Sequence, residues 1–213
     1  MKKKNKICVI IPCYKVSNEI LGVLNKINFN TVDKVIIIDD YCPDKSGVVA
    51  KKIQNKKIVV ITHNENKGVG GATITGFKIA LKLNYDIIIK IDGDGQHQPS
   101  DLKKFINFLS KDKYNFCKGT RYKRNSEKNK IPYLRFLGNN VLTLLTNINC
   151  RNNNITDCVN GFIGVKATLL KKINLNLVSK GFFFEEDLLF HLSLTRNLKI
   201  KEISIKTLYF GKS

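Results

Sequence analysis

Four short apolar runs, "ICVIIP" (7–12), "KVIIIDD" (34–40), "KIVVIT" (57–62) and "DIIIKID" (86–92), recur through the first half of the chain. Amphipathic stretches with helical spacing separate them at 17–28, 46–55 and 70–83, and another follows at 99–110. A run that is apolar at nearly every position belongs to a strand covered on both faces, and helical crossovers between such strands make the neighbours parallel. The pattern predicts an α/β fold with a Rossmann-like, mostly parallel central sheet flanked by helices. Ligands of such sheets bind beyond the carboxyl ends of the strands. Polar residues collect there: Cys13 and Tyr14 after the first run, Asp39 and Asp40 after the second, Asn64 to Gly68 after the third, Asp92 and Asp94 after the fourth.

The second half is less regular. A strand is expected at "NFCKG" (115–119), a basic loop at 120–130, an amphipathic segment at 131–148, a helix over 182–197 and a last strand over 199–205, with "DCVNGFIGVKA" (157–167) between. At 213 residues, with no linker, repeat or low-complexity tract, the chain reads as a single domain, 1–213.

Charge bears on the partner. Lys and Arg number 37 against 17 Asp and Glu, a net charge of +20. Such a balance points to an anionic partner such as a nucleotide, a phospholipid surface or nucleic acid. The excess is locally dense over 111–151, where ten Lys/Arg face two acids, and that segment leads into the amphipathic stretch, which suits an anionic membrane surface. A nucleic-acid binder leaves the clustered aspartates unexplained, because they would repel phosphate without a bridging cation, so nucleic acid is not the expected partner. Six cysteines without a CxxC pair read as reduced thiols. The basic N-terminus precedes an apolar run too short for a signal-peptide core, and no run approaches a membrane span, so the expected location is cytoplasmic.

Asp92 and Asp94 flank Gly93, with Gln96 close behind. A lone pair of this kind is often only a tight turn. At a strand end, however, two carboxylates on a glycine-permitted turn can converge on one hard cation, with Gln96 adding a neutral oxygen; oxygen donors suit Mg²⁺ or Mn²⁺. Such a cation would neutralise a departing diphosphate. His97 reads as a loop residue. In "DDYCPDKSG" a capped turn, for which Asp44 and Ser46 are suited, and a nucleoside contact weigh equally for Asp39, whereas Asp40 lies farther out and favours the contact. The glycines of "NENKGVGGATITGF" match neither a P-loop nor a dinucleotide fingerprint, but fit a crevice where backbone approaches a ligand. In "FFFEED", Glu185, Glu186 and Asp187 are either solvated acids of a helix start or a source of a general base.

The ordered set "VIIPCY", "VIIIDDYCPDKSG", "NENKGVGGATITGF", "IDGDGQHQPSDL", "GTRY", "ITDCVNGF" and "GFFFEED" closely resembles the dolichyl-phosphate mannosyltransferase-like inverting glycosyltransferases of glycosyltransferase family 2, over about residues 7–213. The resemblance implies the GT-A fold, with 1–119 as the nucleotide-sugar-binding half and 120–213 as the acceptor-binding half. It implies Asp92, Asp94 and Gln96 as the metal and diphosphate triplet, Pro12, Tyr14 and Asp40 as donor-nucleotide contacts, and Arg121 and Arg135 as arginines near the transferred sugar and acceptor phosphate. The implied donor is GDP-mannose, UDP-glucose or UDP-N-acetylglucosamine, and the implied acceptor is a polyprenyl phosphate reached from the cytoplasmic face of a membrane. An acceptor hydroxyl on the same fold would instead need Asp187 or Glu185 as base. Cys42 stands where the group usually has Ser, and "NGFIG" replaces its usual "SGFR", so Asn160 and Ile163 are expected to alter acceptor or sugar contacts. The chain stops at "LYFGKS", where relatives usually continue, which admits a separate membrane-anchoring subunit as a partner.

Overall fold

The computed structural model describes residues 4–123, 133–150, 155–195 and 197–207, with the side chains of 133–135 outside that description. Strands β1 (Ile7–Cys13), β2 (Lys34–Asp39), β3 (Ile58–Thr62) and β4 (Ile87–Lys90) form where the apolar runs predict them. Between and after them lie α1 (Ile20–Asn25), α2 (Ser46–Ala50), α3 (Gly68–Lys82) and α4 (Leu102–Leu109), the last entered through a 3₁₀ turn at Pro99–Asp101. Proline suits that first turn because its missing N–H has no partner there anyway. The second half adds β5 (Phe116–Thr120), α5 (Tyr133–Asn149), β6 (Ile163–Lys166), α6 (Ala167–Leu170), α7 (Phe184–Ser193) and β7 (Ile200–Ser204).

The seven strands join in one sheet in the order β3-β2-β1-β4-β6-β5-β7. β1 pairs parallel with β2 and β4, and β5 parallel with β7, while β6 enters between β4 and β5 antiparallel to both. That reversal was not predicted: "FIGV" carries the same continuous apolar signature whichever way its strand runs. Successive side chains alternate between faces. Cys8, Ile10, Ile36, Ile38 and Ile88 pack under α3 and α7, while Val9, Ile11, Val35, Ile37 and Ile89 pack under α1 and α4. Gly76 lets α3 lie directly on β1, since a Cβ there would collide with Ile10.

Candidate active site

The carboxyl ends of β1, β2 and β4 open into one cleft of about 590 Å³, lined among others by Pro12, Tyr14, Asp40, Asp92, Asp94 and Glu185. Gly93 reaches the cleft wall by packing on Cys13, whose Sγ would be 3.1 Å from an added Cβ. Gly95, at φ +76°, turns the chain so that the Gln96 amide donates to Asp94 Oδ1 at 2.9 Å. Gln96 thus meets Asp94 through its backbone, and it is absent from the cleft lining. Burial, and then the neighbouring Asp92 charge, push the Asp94 carboxyl up to about 6. An anion held under that penalty is relieved by a hard cation, so Asp94, with Asp92 beside it, fits Mg²⁺ or Mn²⁺ by donor chemistry. Among the described residues no three His, Cys, Asp or Glu side chains cluster around a metal position.

Asp92 is held differently. Its Oδ1 lies 2.6 Å from Lys90 Nζ, and the same ammonium donates to Glu185 Oε1 at 2.9 Å. Burial alone would raise the Asp92 carboxyl, but Lys90 overrides it and holds the group below its usual range. His97, pushed down to about 4 by burial, is neutral at pH 7 and accepts the Asp92 N–H through Nδ1 at 3.3 Å. The 3.4 Å approach of that nitrogen to Asp92 Oδ2 is therefore a contact of a neutral ring. Lys90 escaped the sequence reading because it sits inside an apolar strand. The signal was there: a lysine in a strand buried on both faces must have an anionic partner.

The two aspartates after β2 separate in role. Asp39 points back into the fold, accepting the Cys42 and Gly47 amides at 2.9 and 3.1 Å, so the capped-turn reading describes its geometry and the donor-contact reading does not. Asp40 lines the cleft, with Oδ1 bonded to His63 Nδ1 at 2.6 Å and to the Lys67 amide at 2.9 Å. His63 is also bonded to Thr75 Oγ1 at 3.0 Å, which fixes its ring. Cys42 accepts the Lys15 amide and lies 2.6 Å from Asp44 Oδ1, so its thiol does the loop-bracing work of a hydroxyl. Lys15, Tyr41 and Lys45 adopt left-handed φ of 55°, 55° and 58° around these strand ends, strain that the hydrogen-bonded loop sustains. At the start of α3, Gly68 lines the cleft with Val69 and Ala72, whereas Gly70 and Gly71 serve packing. A Cβ on Gly70 would lie 2.6 Å from Ser179 O, and the Gly71 amide donates to Lys180 O.

On the other side, Arg121 forms a two-pronged pair with fully buried Asp157, Nε and Nη2 each 2.8 Å from a carboxylate oxygen. The Nε–Nη2 edge of Arg121 is thus held by Asp157, and Arg121 is absent from the cleft lining. Glu202 on β7 braces the same loop by accepting the Thr156 amide at 2.6 Å. Arg135 belongs to α5 by backbone, but its side chain lies outside the described residues, as do Arg124, Lys128, Lys130 and Arg151. Asp187 does not line the cleft. It faces a second groove with Phe183, Glu186 and Phe190, and its Oδ2 accepts the Ser179 amide at 2.6 Å. Glu185 is the acid of "FEED" that the fold brings to the cleft. Asn160 and Ile163 are buried and absent from the cleft lining; Asn160 O takes the Nζ of buried Lys118 at 2.7 Å.

Comparison with known proteins adds a family. The model described as "Glycosyl transferase family 2" matches residues 8–173. UDP-N-acetylglucosamine--dolichyl-phosphate N-acetylglucosaminyltransferase of Methanococcus voltae is 32% identical, over 95% of this chain and 86% of its own. Undecaprenyl-phosphate mannosyltransferase of Micrococcus luteus is 26% identical, over 87% of this chain and 76% of its own. The solved structure of glucosyl-3-phosphoglycerate synthase from Mycobacterium tuberculosis, in complex with Mn²⁺, UDP and phosphoglyceric acid, superposes with a TM-score of 0.75 at 15% identity, covering 98% of this chain and 72% of that one. It shows a shared GT-A fold.

Proposed function

The chain belongs to glycosyl transferase family 2, and on that premise we propose that it moves a sugar, with inversion, from a nucleotide-diphosphate sugar to a polyprenyl phosphate. The observation that carries the choice of acceptor is the state of Glu185. The carboxylates lining the cleft are Asp40, Asp92, Asp94 and Glu185, and the one from the acceptor half already spends Oε1 on Lys90. A hydroxyl acceptor needs a base to take its proton, whereas a phosphate arrives as an anion and needs none. The names of the two relatives, both acting on lipid-linked phosphates, support the same choice.

In this reading Pro12, Tyr14 and Asp40 frame the nucleoside, with His63 keeping the Asp40 carboxylate in place. A divalent cation, Mg²⁺ or Mn²⁺, held at Asp94 supplies neutralisation of the leaving diphosphate. The acceptor oxygen bonds to the anomeric carbon from the opposite face as the bond to the diphosphate breaks. Residues 1–119 serve the donor and 120–213 the acceptor, with Arg121, oriented by Asp157, and Arg135 meeting the acceptor phosphate.

A panel of GDP-mannose, UDP-glucose and UDP-N-acetylglucosamine with Mn²⁺ or Mg²⁺ and a short polyprenyl phosphate tests this, with a glycolipid product expected from one donor. Transfer only to a hydroxyl acceptor, abolished in Asp187→Asn or Glu185→Gln, would replace the reading.

The proposed place of action is the cytoplasmic face of a membrane, with an anchoring subunit as a candidate partner. No helix among the described residues is long and apolar enough to cross a membrane. Along α5, however, Leu137, Val141, Leu144, Leu145 and Ile148 make an exposed apolar stripe at helical spacing, and Phe182 is 93% exposed beside the cleft. With the net charge of +20, that stripe suits an anionic surface. Flotation with phosphatidylglycerol vesicles should show binding at low salt that weakens as salt screens it. Protein that stays unbound at low salt would argue for a soluble acceptor.

A further inference from the structure

Lys90 is 1% exposed, in a strand position flanked in register by Ile10 of β1 and Ile163 of β6. Burying an ammonium costs several kcal/mol unless it is paired and hydrogen-bonded. Here it is paired twice, at 2.6 Å to Asp92 and at 2.9 Å to Glu185. Burial opposes its charge, but the two carboxylates outweigh burial and raise its pKa above the usual lysine value, so the ammonium is retained. The backbone is shaped around the pair: a Cβ on Gly161 would lie 2.5 Å from both Asp92 Oδ2 and Lys90 Nζ. Asp94, two residues beyond Asp92, lines the same cleft with no such cation within salt-bridge reach among the described residues.

We propose that Lys90 is a positioning residue that withholds Asp92 from the divalent cation, leaving Asp94 as the main protein ligand and making tight cation binding depend on the donor diphosphate. The inference rests on the metal reading above and goes beyond it. Two free carboxylates one residue apart would chelate a cation without nucleotide and keep it after the reaction. One free carboxylate plus a diphosphate binds the cation as a unit and lets it leave with the nucleoside diphosphate. The second bond, to Glu185, ties α7 to the same strand end, so one ammonium joins the donor and acceptor sides of the cleft.

The test is a Mn²⁺ titration of nucleotide-free protein, with free Mn²⁺ read from its electron paramagnetic resonance signal, for wild type and Lys90→Met. The unbranched methionine fills the strand position, frees Asp92 and removes a positive charge, and should tighten Mn²⁺ binding by about tenfold or more. Added UDP or GDP should shrink that difference, because the diphosphate then supplies ligands in both proteins. If the unpaired Asp92 and Glu185 stop the variant from folding, Lys90→Met with Glu185→Gln removes one of the two charges and should show the same tightening. A lysine with a structural role alone would lower the melting temperature and leave the Mn²⁺ affinity of folded protein at the wild-type value, which overturns the proposal. Wild type that binds Mn²⁺ equally well with and without nucleotide overturns it as well. If wild type binds no Mn²⁺ even with UDP or GDP, the metal reading of the cleft fails, and this inference fails with it.

Discussion

Asp94→Asn is expected to lower sugar transfer by about 10³-fold or more while the protein stays folded. The substitution keeps the carbonyl oxygen that accepts the Gln96 amide, so the turn at Gly95 survives. It opens no cavity, because the residue is half-exposed on the cleft wall. What it removes is the negative charge that burial and Asp92 make costly to keep and that a divalent cation would relieve. Changes of this kind, away from the core, usually stay within about 0.5 kcal/mol in stability. Initial rates with saturating donor, beside a thermal melt, separate the two effects. Turnover near the wild-type rate in Asp94→Asn, or undiminished activity in excess chelator, would remove Asp94 from the metal role.

Asp157→Ala should cost about 3–5 kcal/mol of stability, since it removes the buried carboxylate that holds both Nε and Nη2 of the Arg121 guanidinium. Asp157 is fully buried, and the Arg121 side chain is only 11% exposed. The lost carboxylate also accepts the Arg121 amide at 3.1 Å, so the start of the loop after β5 loosens too. For a chain of this length, each kcal/mol moves the melting temperature by roughly 2–4 °C, so the drop should be on the order of 6–20 °C. Asp157→Asn, which keeps one acceptor for the fork, should fall between wild type and Asp157→Ala. Below the melt, KM for polyprenyl phosphate should rise more than KM for the donor, because Arg121 is proposed to face the acceptor. A melting temperature within about 2 °C of wild type would show that the pair is not holding the loop.

The expected and observed elements agree most closely where the signal is local. β1, β2 and β3 start and stop within a residue of the apolar runs, because continuous burial on both faces demands apolar residues at every position. The acids at the ends of β2 and β4 were legible for a related reason: an α/β sheet puts its strand ends at its binding edge wherever the strands lie. Helix ends were less legible. The stretch 46–55 becomes helix only over Ser46–Ala50, since periodicity extends past the residues whose backbone bonds close.

Within the candidate site, chain position at a strand end brought Tyr14, Asp40, Asp92 and Asp94 to the cleft and the family resemblance added Pro12, but the same reading also named Asp39 and Gln96, which do not line it. What each of them bonds to was decided by the tertiary structure alone. Asp40 meets His63 across 23 residues, Arg121 meets Asp157 across 36, and Lys90 meets Glu185 across 95. Asp39 and Asp40 are adjacent and chemically identical, yet one caps the turn into α2 and the other faces the cleft. The antiparallel entry of β6 brings Gly161 against Asp92 and Lys90, and the packing of α7 turns Glu185 toward the cleft and Asp187 away. Hydrophobic periodicity is a property of neighbouring residues and is written in the chain. The partner of a buried charge is selected by desolvation in the packed interior, which exists only once distant segments have met.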